Sequence, residues 1–307
     1  RQEEPARMLD LLCIGEAMAE IRSEALAGPQ AGTPGFAVGF AGDSFNTAVY
    51  ARRALGQAGA VGYMTRVGND PLSSGFLALA QREGLDTRSI VRDPSRAIGI
   101  YTVATDDAGE RSFHYWRDQS AARMLFSAET ALPAARILYL SGITLAILSP
   151  PARERLIEAL IQARNAGALV AFDSNFRPKL WEDNATARAV TAQMWALADL
   201  AFPSIDDEMA LFGETREAAT VARFAEGGFI RCAIKRGERG PLDPMTSAPL
   251  PDFPTAASVI DTTAAGDSFN AGYLAAFLQG SDALACLSAG HALAATVVGV
   301  RGAIAPV

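Results

Sequence analysis

Four short apolar runs of strand length, residues 136–140, 168–172, 197–202 and 229–234, alternate with helical patterns such as 152–165 and 185–195. That alternation is the strongest constraint on the fold. Each interval leaves room for a helix to cross between neighbouring strands, so the strands can run parallel and the helices cover both faces of one sheet. Right-handed crossovers then build a mostly parallel α/β arrangement. With 307 residues, half of them apolar, the chain can bury a sizeable core, and residues 9–307 are read as one domain. Two segments break the rhythm. Residues 16–40 and 97–117 contain strand-like alternation, as in Ile98-Gly99-Ile100-Tyr101-Thr102-Val103, and predict a small β-lid over the open end of the sheet.

The segment Asp261-Thr262-Thr263-Ala264-Ala265-Gly266-Asp267-Ser268-Phe269-Asn270-Ala271-Gly272 carries the chemistry. Behind it Phe269, Tyr273, Leu274, Phe277 and Leu278 recur at helical spacing, which predicts a helix from Gly266 or Asp267 to Gly280. The first turn of a helix leaves N–H groups without intrahelical partners and carries the positive end of the macrodipole, so an anion can sit there. Small residues at Ala264, Ala265 and Gly266 let that backbone come close. Asp267 is then either a plain helix-start acid or a base for a substrate hydroxyl; the residues of this segment alone leave both open.

Three further segments belong with it. Leu11-Leu12-Cys13-Ile14-Gly15-Glu16 reads as a strand, followed after a gap by Gly39-Phe40-Ala41-Gly42-Asp43-Ser44-Phe45-Asn46-Thr47-Ala48 and a helix. Leu169-Val170-Ala171-Phe172-Asp173-Ser174-Asn175-Phe176-Arg177-Pro178 reads as a buried strand ending in a polar cluster, at the strand end where open α/β sheets bind ligands. Ala233-Ile234-Lys235-Arg236-Gly237-Glu238-Arg239-Gly240 follows another apolar run.

Together these segments resemble the signature of the PfkB family of sugar kinases, related to ribokinase, and the likeness runs from about residue 12 to 306. The resemblance implies a ribokinase-like three-layer α/β/α sandwich with a central mostly parallel sheet and a small β-lid. It implies ATP and magnesium as the nucleotide and its ion. Asp267 becomes the catalytic base, with Ala264, Ala265 and Gly266 as the anion hole; Ala264 stands where the family usually has its first glycine. Gly42, Asp43 and Asn46 would line the sugar entrance. Asn175, Lys235, Gly237, Gly240, Ala265 and Gly266 would meet the nucleotide, with His291 bordering its adenine. Glu208 matches the acid of the family's Asn-x-x-Glu motif, which steers magnesium through water, although Ile205 occupies the asparagine position. Asp261 and Thr263 fall where some relatives hold a monovalent cation, potassium being the candidate.

Within the family the likeness is to its 2-keto-3-deoxygluconate kinases. It rests on Gly109-Glu110-Arg111-Ser112-Phe113-His114-Tyr115-Trp116-Arg117, on Tyr139 to Pro150, and on the 172–181 and 261–273 stretches. The reaction so implied is phosphorylation of the terminal primary hydroxyl to give the 6-phosphate. A sugar acid needs a partner for its carboxylate, which Arg117 and Arg177 could grip through paired hydrogen bonds; Tyr101 and Tyr115 would add hydroxyl donors. Other acceptors, such as fructose, the galactonate epimer or a nucleoside, stay open, as does a sugar-acid sensor without catalysis.

Composition excludes much else. A net charge of −7 with no basic cluster argues against a nucleic-acid surface, and no apolar run reaches membrane-span length. Cys13, Cys232 and Cys286 are an odd count without ligand spacing, so buried thiols in a reducing cytoplasm are expected. Residues 1–8 read as a flexible leader and the outer face of the lid as a surface for homo-oligomers. Five prolines between Gly240 and Pro254 oppose a strand, so the β-hairpin usual in the family is expected to be a loop here.

Overall fold

The computed structural model describes residues 8–25, 34–105, 111–246, 250 and 252–306. Residues 1–7 of the expected leader, and Gly109 and Glu110 of the lid motif, lie outside them. Seven parallel strands form the main sheet: β1 (Leu9–Ile14), β4 (Val61–Val67), β5 (Ile90–Arg92), β8 (Ala135–Ser141), β9 (Leu169–Asp173), β10 (Leu200–Ala201) and β11 (Arg231–Cys232), in the order β11-β10-β9-β8-β1-β4-β5.

Strand side chains alternate between faces, and here both faces are buried. Leu11 and Cys13 of β1, with Ile137 and Tyr139 of β8, enter one core; Leu12 and Ile14, with Leu138 and Leu140, enter the other. Helices α1 (Asp43–Leu55), α2 (Pro71–Arg82), α8 (Ala265–Leu278) and α9 (Ala283–Val297) pack on the first core through Val49, Phe76, Leu274 and Leu287. Helices α3 (Gly142–Ile147), α4 (Pro150–Asn165), α5 (Asn184–Leu197), α6 (Ile205–Phe212) and α7 (Glu217–Ala225) pack on the second through Leu145, Leu156, Met194, Leu211 and Phe224. This is the three-layer α/β/α sandwich expected.

The runs 197–202 and 229–234 yield only two-residue strands. Pro203 has no N–H to continue the ladder, yet pairing persists as single bonds, Ala233 N–H to the Ala201 carbonyl at 2.8 Å and Lys235 N–H to the Pro203 carbonyl at 2.8 Å. Those bonds carry Lys235 to the C-terminal rim of the sheet.

A second sheet interrupts the alternation, as 16–40 and 97–117 predicted. Strands β2 (Met18–Ala25), β3 (Pro34–Ala41), β6 (Gly99–Thr105) and β7 (Arg111–Trp116) run in the order β3-β2-β6-β7. Register puts Gly39, Glu20, Tyr101 and Tyr115 on one face, and Val38, Ile21, Thr102 and His114 on the other. The face bearing Glu20 is turned toward Asp261, Thr263 and Gly302, with which it encloses a cavity of about 230 Å³. In the proline-rich segment the described pairing is a single bridge, Ile234 with Leu242.

Candidate active site

Strand order reverses at β1. The chain steps from β1 out to β4 and β5, then returns to place β8 on the other side of β1. Such a reversal opens a crevice at the carboxyl ends of the strands, and the polar residues singled out in the sequence collect there. Ser141 ends β8 and Asp173 ends β9. Helices α1 and α8 aim their N-termini at the same place.

Helix α1 is brought close by Gly42, since a Cβ there would stand 2.2 Å from the Glu16 carbonyl oxygen. Its first residue, Asp43, accepts hydrogen bonds from Ser44 N–H at 2.7 Å, from Asn175 Nδ2 at 2.8 Å and from the Ser141 hydroxyl. Asn46, one turn on, donates from Nδ2 to Asp267 Oδ2 at 2.8 Å. Thr47 donates to the Asp267 carbonyl at 3.2 Å.

Helix α8 starts at Ala264, which has φ of 63° and no side-chain cap. The family's glycine would take that left-handed conformation freely; an alanine holds it at a cost of about 1–2 kcal/mol. Asp267, in the first turn, is partly exposed. Burial of its surroundings raises its carboxyl to about 7, Asp43 and then Asp173 push in the same direction, and the Asn46 hydrogen bond and Lys235 oppose them. A carboxyl poised near neutral pH and reachable from the crevice can take a proton from a hydroxyl.

Asp173 is buried and holds three groups: Lys235 Nζ at 2.5 Å, Asn270 Nδ2 at 2.6 Å and Asn175 N–H at 3.1 Å. Asn175 takes a positive φ of 31° there. The Lys235 ammonium also lies against the start of α8, where a Cβ on Gly266 would be 3.6 Å from Nζ. Gly237 and Gly240 follow with φ of 60° and 75°, and a Cβ on Gly240 would meet the Phe253 ring at 2.9 Å. His291 donates from Nε2 to the Pro254 carbonyl at 2.7 Å and lies tilted against the Phe253 ring, centroids 5.1 Å apart, so it fastens the proline-rich loop.

The remaining candidates divide. Tyr101 is buried, with its hydroxyl on Glu20, and Tyr115 is half exposed beside it, ring centroids 5.6 Å apart. Arg117 is buried and its guanidinium is already paired with Glu16, whose other oxygen accepts from Ser120 at 2.5 Å. Arg177 is open: its side chain is 53 % exposed and its nearest acid, Asp207, is 3.6 Å away. Glu182, five residues on, pairs with Arg153 at 2.9 Å and leaves Arg177 free of it.

Glu208 does not open on the crevice. It is fully buried, accepts from Trp195 Nε1 at 3.2 Å and faces Arg223 at 3.0 Å, and burial raises its carboxyl to about 7 against those contacts. Its neighbour Asp207 is the acid that remains partly exposed, in the field of Arg177, Asp173 and Lys235. Asp261 accepts from Thr263 N–H at 2.9 Å and Gly302 N–H at 2.7 Å, which ties the loop before α8 to the segment after α9.

Sequence reasoning passed over Ser141, Asn270, Glu16 and Asp207 as site residues. Asn270 stood inside the quoted motif, one turn after Asp267, and Glu16 at the end of the first strand segment; nothing local marked Ser141 or Asp207.

A family model described as pfkB family carbohydrate kinase matches residues 8–307. The chain belongs to the pfkB family of carbohydrate kinases. It is therefore a kinase. The 2-dehydro-3-deoxygluconokinase of Escherichia coli strain K12 is 40% identical over 279 residues, covering 87% of this chain and 90% of that protein. A Xylella fastidiosa fructokinase solved with bound ATP superimposes with a TM-score of 0.77 at 25% identity, covering 95% of this chain and 93% of the other. A putative ribokinase II from E. coli gives a TM-score of 0.83 at 23% identity over 96% and 94%, a likeness of fold. No described helix is long and apolar enough to cross a membrane.

Proposed function

We propose that this pfkB kinase transfers the γ-phosphoryl group of ATP to the terminal primary hydroxyl of 2-keto-3-deoxygluconate, giving the 6-phosphate. The observation that carries this reading is Asp267, raised to about 7 in an uncapped helix start. As the new O–P bond forms, the acceptor hydroxyl gives its proton to Asp267. The N–H groups of Gly266 and Asp267 then meet the charge on the phosphoryl oxygens; the Ala265 N–H is turned back onto the Thr262 carbonyl at 3.2 Å. Asn46 keeps the carboxylate aimed, while Gly42 and Asp43 line the acceptor's end of the crevice.

The sugar acid is favoured as acceptor by the name of the 40%-identical relative and by Arg177, a guanidinium with room to bind a carboxylate. Arg117 enters through its Glu16 pair, as a fixed part of the lid's base. Tyr115 presents its hydroxyl from the lid's inner face. Lid strands over the crevice would exclude water, which competes with the sugar for the phosphoryl group.

ATP and a divalent cation are the reagents this reading requires. Among the described residues no three His, Cys, Asp or Glu side chains group as a metal cage. Such a donor set fits magnesium carried on the phosphates and reached through water, with Asp207 as the acid open to it. Bound there, magnesium neutralises phosphate charge. Asn175, Gly237 and Gly240 are assigned to the nucleotide and Lys235 to its γ-phosphoryl end, with the His291-anchored loop beside its base. Asp261 and Thr263 are assigned to a potassium-type site behind the anion hole. The outer lid face exposes Phe36, Val38 and Trp116, apolar area that a second copy of the chain would cover; light scattering of the purified protein tests that assignment.

The test of function is an acceptor panel with magnesium, with and without potassium: 2-keto-3-deoxygluconate, its galactonate epimer, fructose, ribose and adenosine. Turnover confined to the keto-deoxy acids is expected. Preference for a neutral sugar would discard the arginine–carboxylate reading, and no turnover at all would favour a sensor.

A further inference from the structure

We propose that Lys235 is the cation of the phosphoryl-transfer step, held beside the first turn of α8 by Asp173, which Asn270 fixes in turn, and that it acts on the transferring phosphoryl group more than on the bound nucleotide. The inference rests on the kinase reading above and adds a residue to it.

Position is the first argument. Lys235 is fixed through its backbone at the rim of the sheet, its N–H on the Pro203 carbonyl at 2.8 Å and its carbonyl accepting from Ile205 at 2.9 Å. From there the side chain reaches across β10 to Asp173 on β9, and its ammonium comes to rest beside Gly266. The phosphoryl group in flight must lie between the nucleotide and Asp267, in front of those same N–H groups. An ammonium at that point meets charge that develops in the transition state, which is where a fixed cation lowers the barrier most.

The support beneath the lysine is the second argument. Asp173 is buried and receives Asn270 Nδ2 at 2.6 Å. Asn270 gives the same amide nitrogen to the Tyr139 hydroxyl at 2.9 Å, which leaves its own Oδ1 buried with no partner in the structure. The amide is thus turned so that both donors face the Asp173–Tyr139 side at the expense of its acceptor. Asn270 belongs to α8, one turn from Asp267, so lysine, helix start and base are linked through one carboxylate. A salt bridge that only neutralised Asp173 would not need to lie over the anion hole.

In the step itself, the hydroxyl proton passes to Asp267, the acceptor oxygen bonds to the γ-phosphorus, and the bond from that phosphorus to the β,γ-bridging oxygen breaks with its electron pair leaving on ADP. Lys235 keeps its proton and donates hydrogen bonds throughout. Its charge also opposes the effect of Asp43 and Asp173 on Asp267, so its removal should move the acid limb of kcat/KM to higher pH.

The test compares wild type with Lys235→Met and with Lys235→Met/Asp173→Asn, the double variant leaving no unpaired buried charge if the single one folds poorly. Expected is a fall in kcat of about 100-fold or more in both, of the size seen when one transition-state donor is removed. KM for ATP and calorimetric affinity for ADP should stay within about threefold, the mark of a group that binds ground and transition states unequally. The complex of ADP with tetrafluoroaluminate should weaken by about 30-fold or more, because it imitates the group in flight. Loss of ADP affinity with kcat preserved would overturn the proposal in favour of a nucleotide-binding lysine. A double variant with wild-type kcat and fluoroaluminate affinity would overturn it in favour of a structural ion pair. Fluoroaluminate binding is measured with and without the sugar acid, so a wild type inactive on that acid would sink the substrate reading while still deciding the role of Lys235.

Discussion

Helices α2, α5 and α9 begin differently from α8. Each of the first three opens on an aspartate whose side chain accepts from the amide three residues on: Asp70 from Ser73 at 2.9 Å, Asp183 from Thr186 at 2.7 Å and Asp282 from Ala285 at 2.8 Å. Their ends are closed by their own chemistry. Helix α8 has Ala264 at that position, no side-chain cap, and its aspartate three residues further in. That aspartate is held by Asn46 of another helix instead of by its own backbone. One residue type therefore closes a helix end at the cap and leaves amides open when it stands inside the first turn, where the proposed base lies.

Exchanging features between the two kinds of helix start should break the comparison if it is wrong. Asp267→Asn should lower kcat by roughly 10²- to 10⁴-fold with sugar-acid binding retained; calorimetry and steady-state rates on one preparation would check both halves. Ala264→Asp, which sets a second carboxylate beside the open amides of α8, should cost about 100-fold in kcat by excluding an anion from them, as steady-state rates would show. Asp183→Ala removes a cap remote from the crevice: denaturant unfolding should report a loss of about 1 kcal/mol, and the turnover number should not move. Ala264→Gly should relieve left-handed strain against a more flexible unfolded chain, for a net gain under about 1 kcal/mol and unchanged kinetics.

The layers of the fold were legible because each depends on a local period. Alternating residues of β1 and β8 enter opposite cores, and the runs that broke the βαβ rhythm became the second sheet. Short strands were harder to bound, since at β10 and β11 the tertiary neighbour decides where pairing stops: Pro203 ends the ladder while single bonds continue past it. In the candidate site, Asp267 carried a local mark at its helix start and Asp43 came from the resemblance of its segment; the structure brings both to the crevice. Glu16 and Ser141 become partners of Arg117 and Asp43 only through contacts about a hundred positions apart in the chain. Glu208 shows the reverse case, in which a motif position was visible but its direction, toward Trp195 and Arg223, was fixed by packing.

The most direct test of the central claim is the pH profile of kcat/KM, which reports ionisations of the free enzyme. Asp267 is raised from the ordinary carboxylate range to about 7, so it keeps its proton below that pH and cannot accept another from the substrate. Activity should fall about tenfold per pH unit on the acid side of neutrality, and Asp43→Asn, which removes a neighbouring negative charge, should shift that limb to lower pH. A wild-type profile flat from neutral pH down to about 5, where an ordinary carboxylate is still ionised, would contradict the assignment of Asp267 as the base.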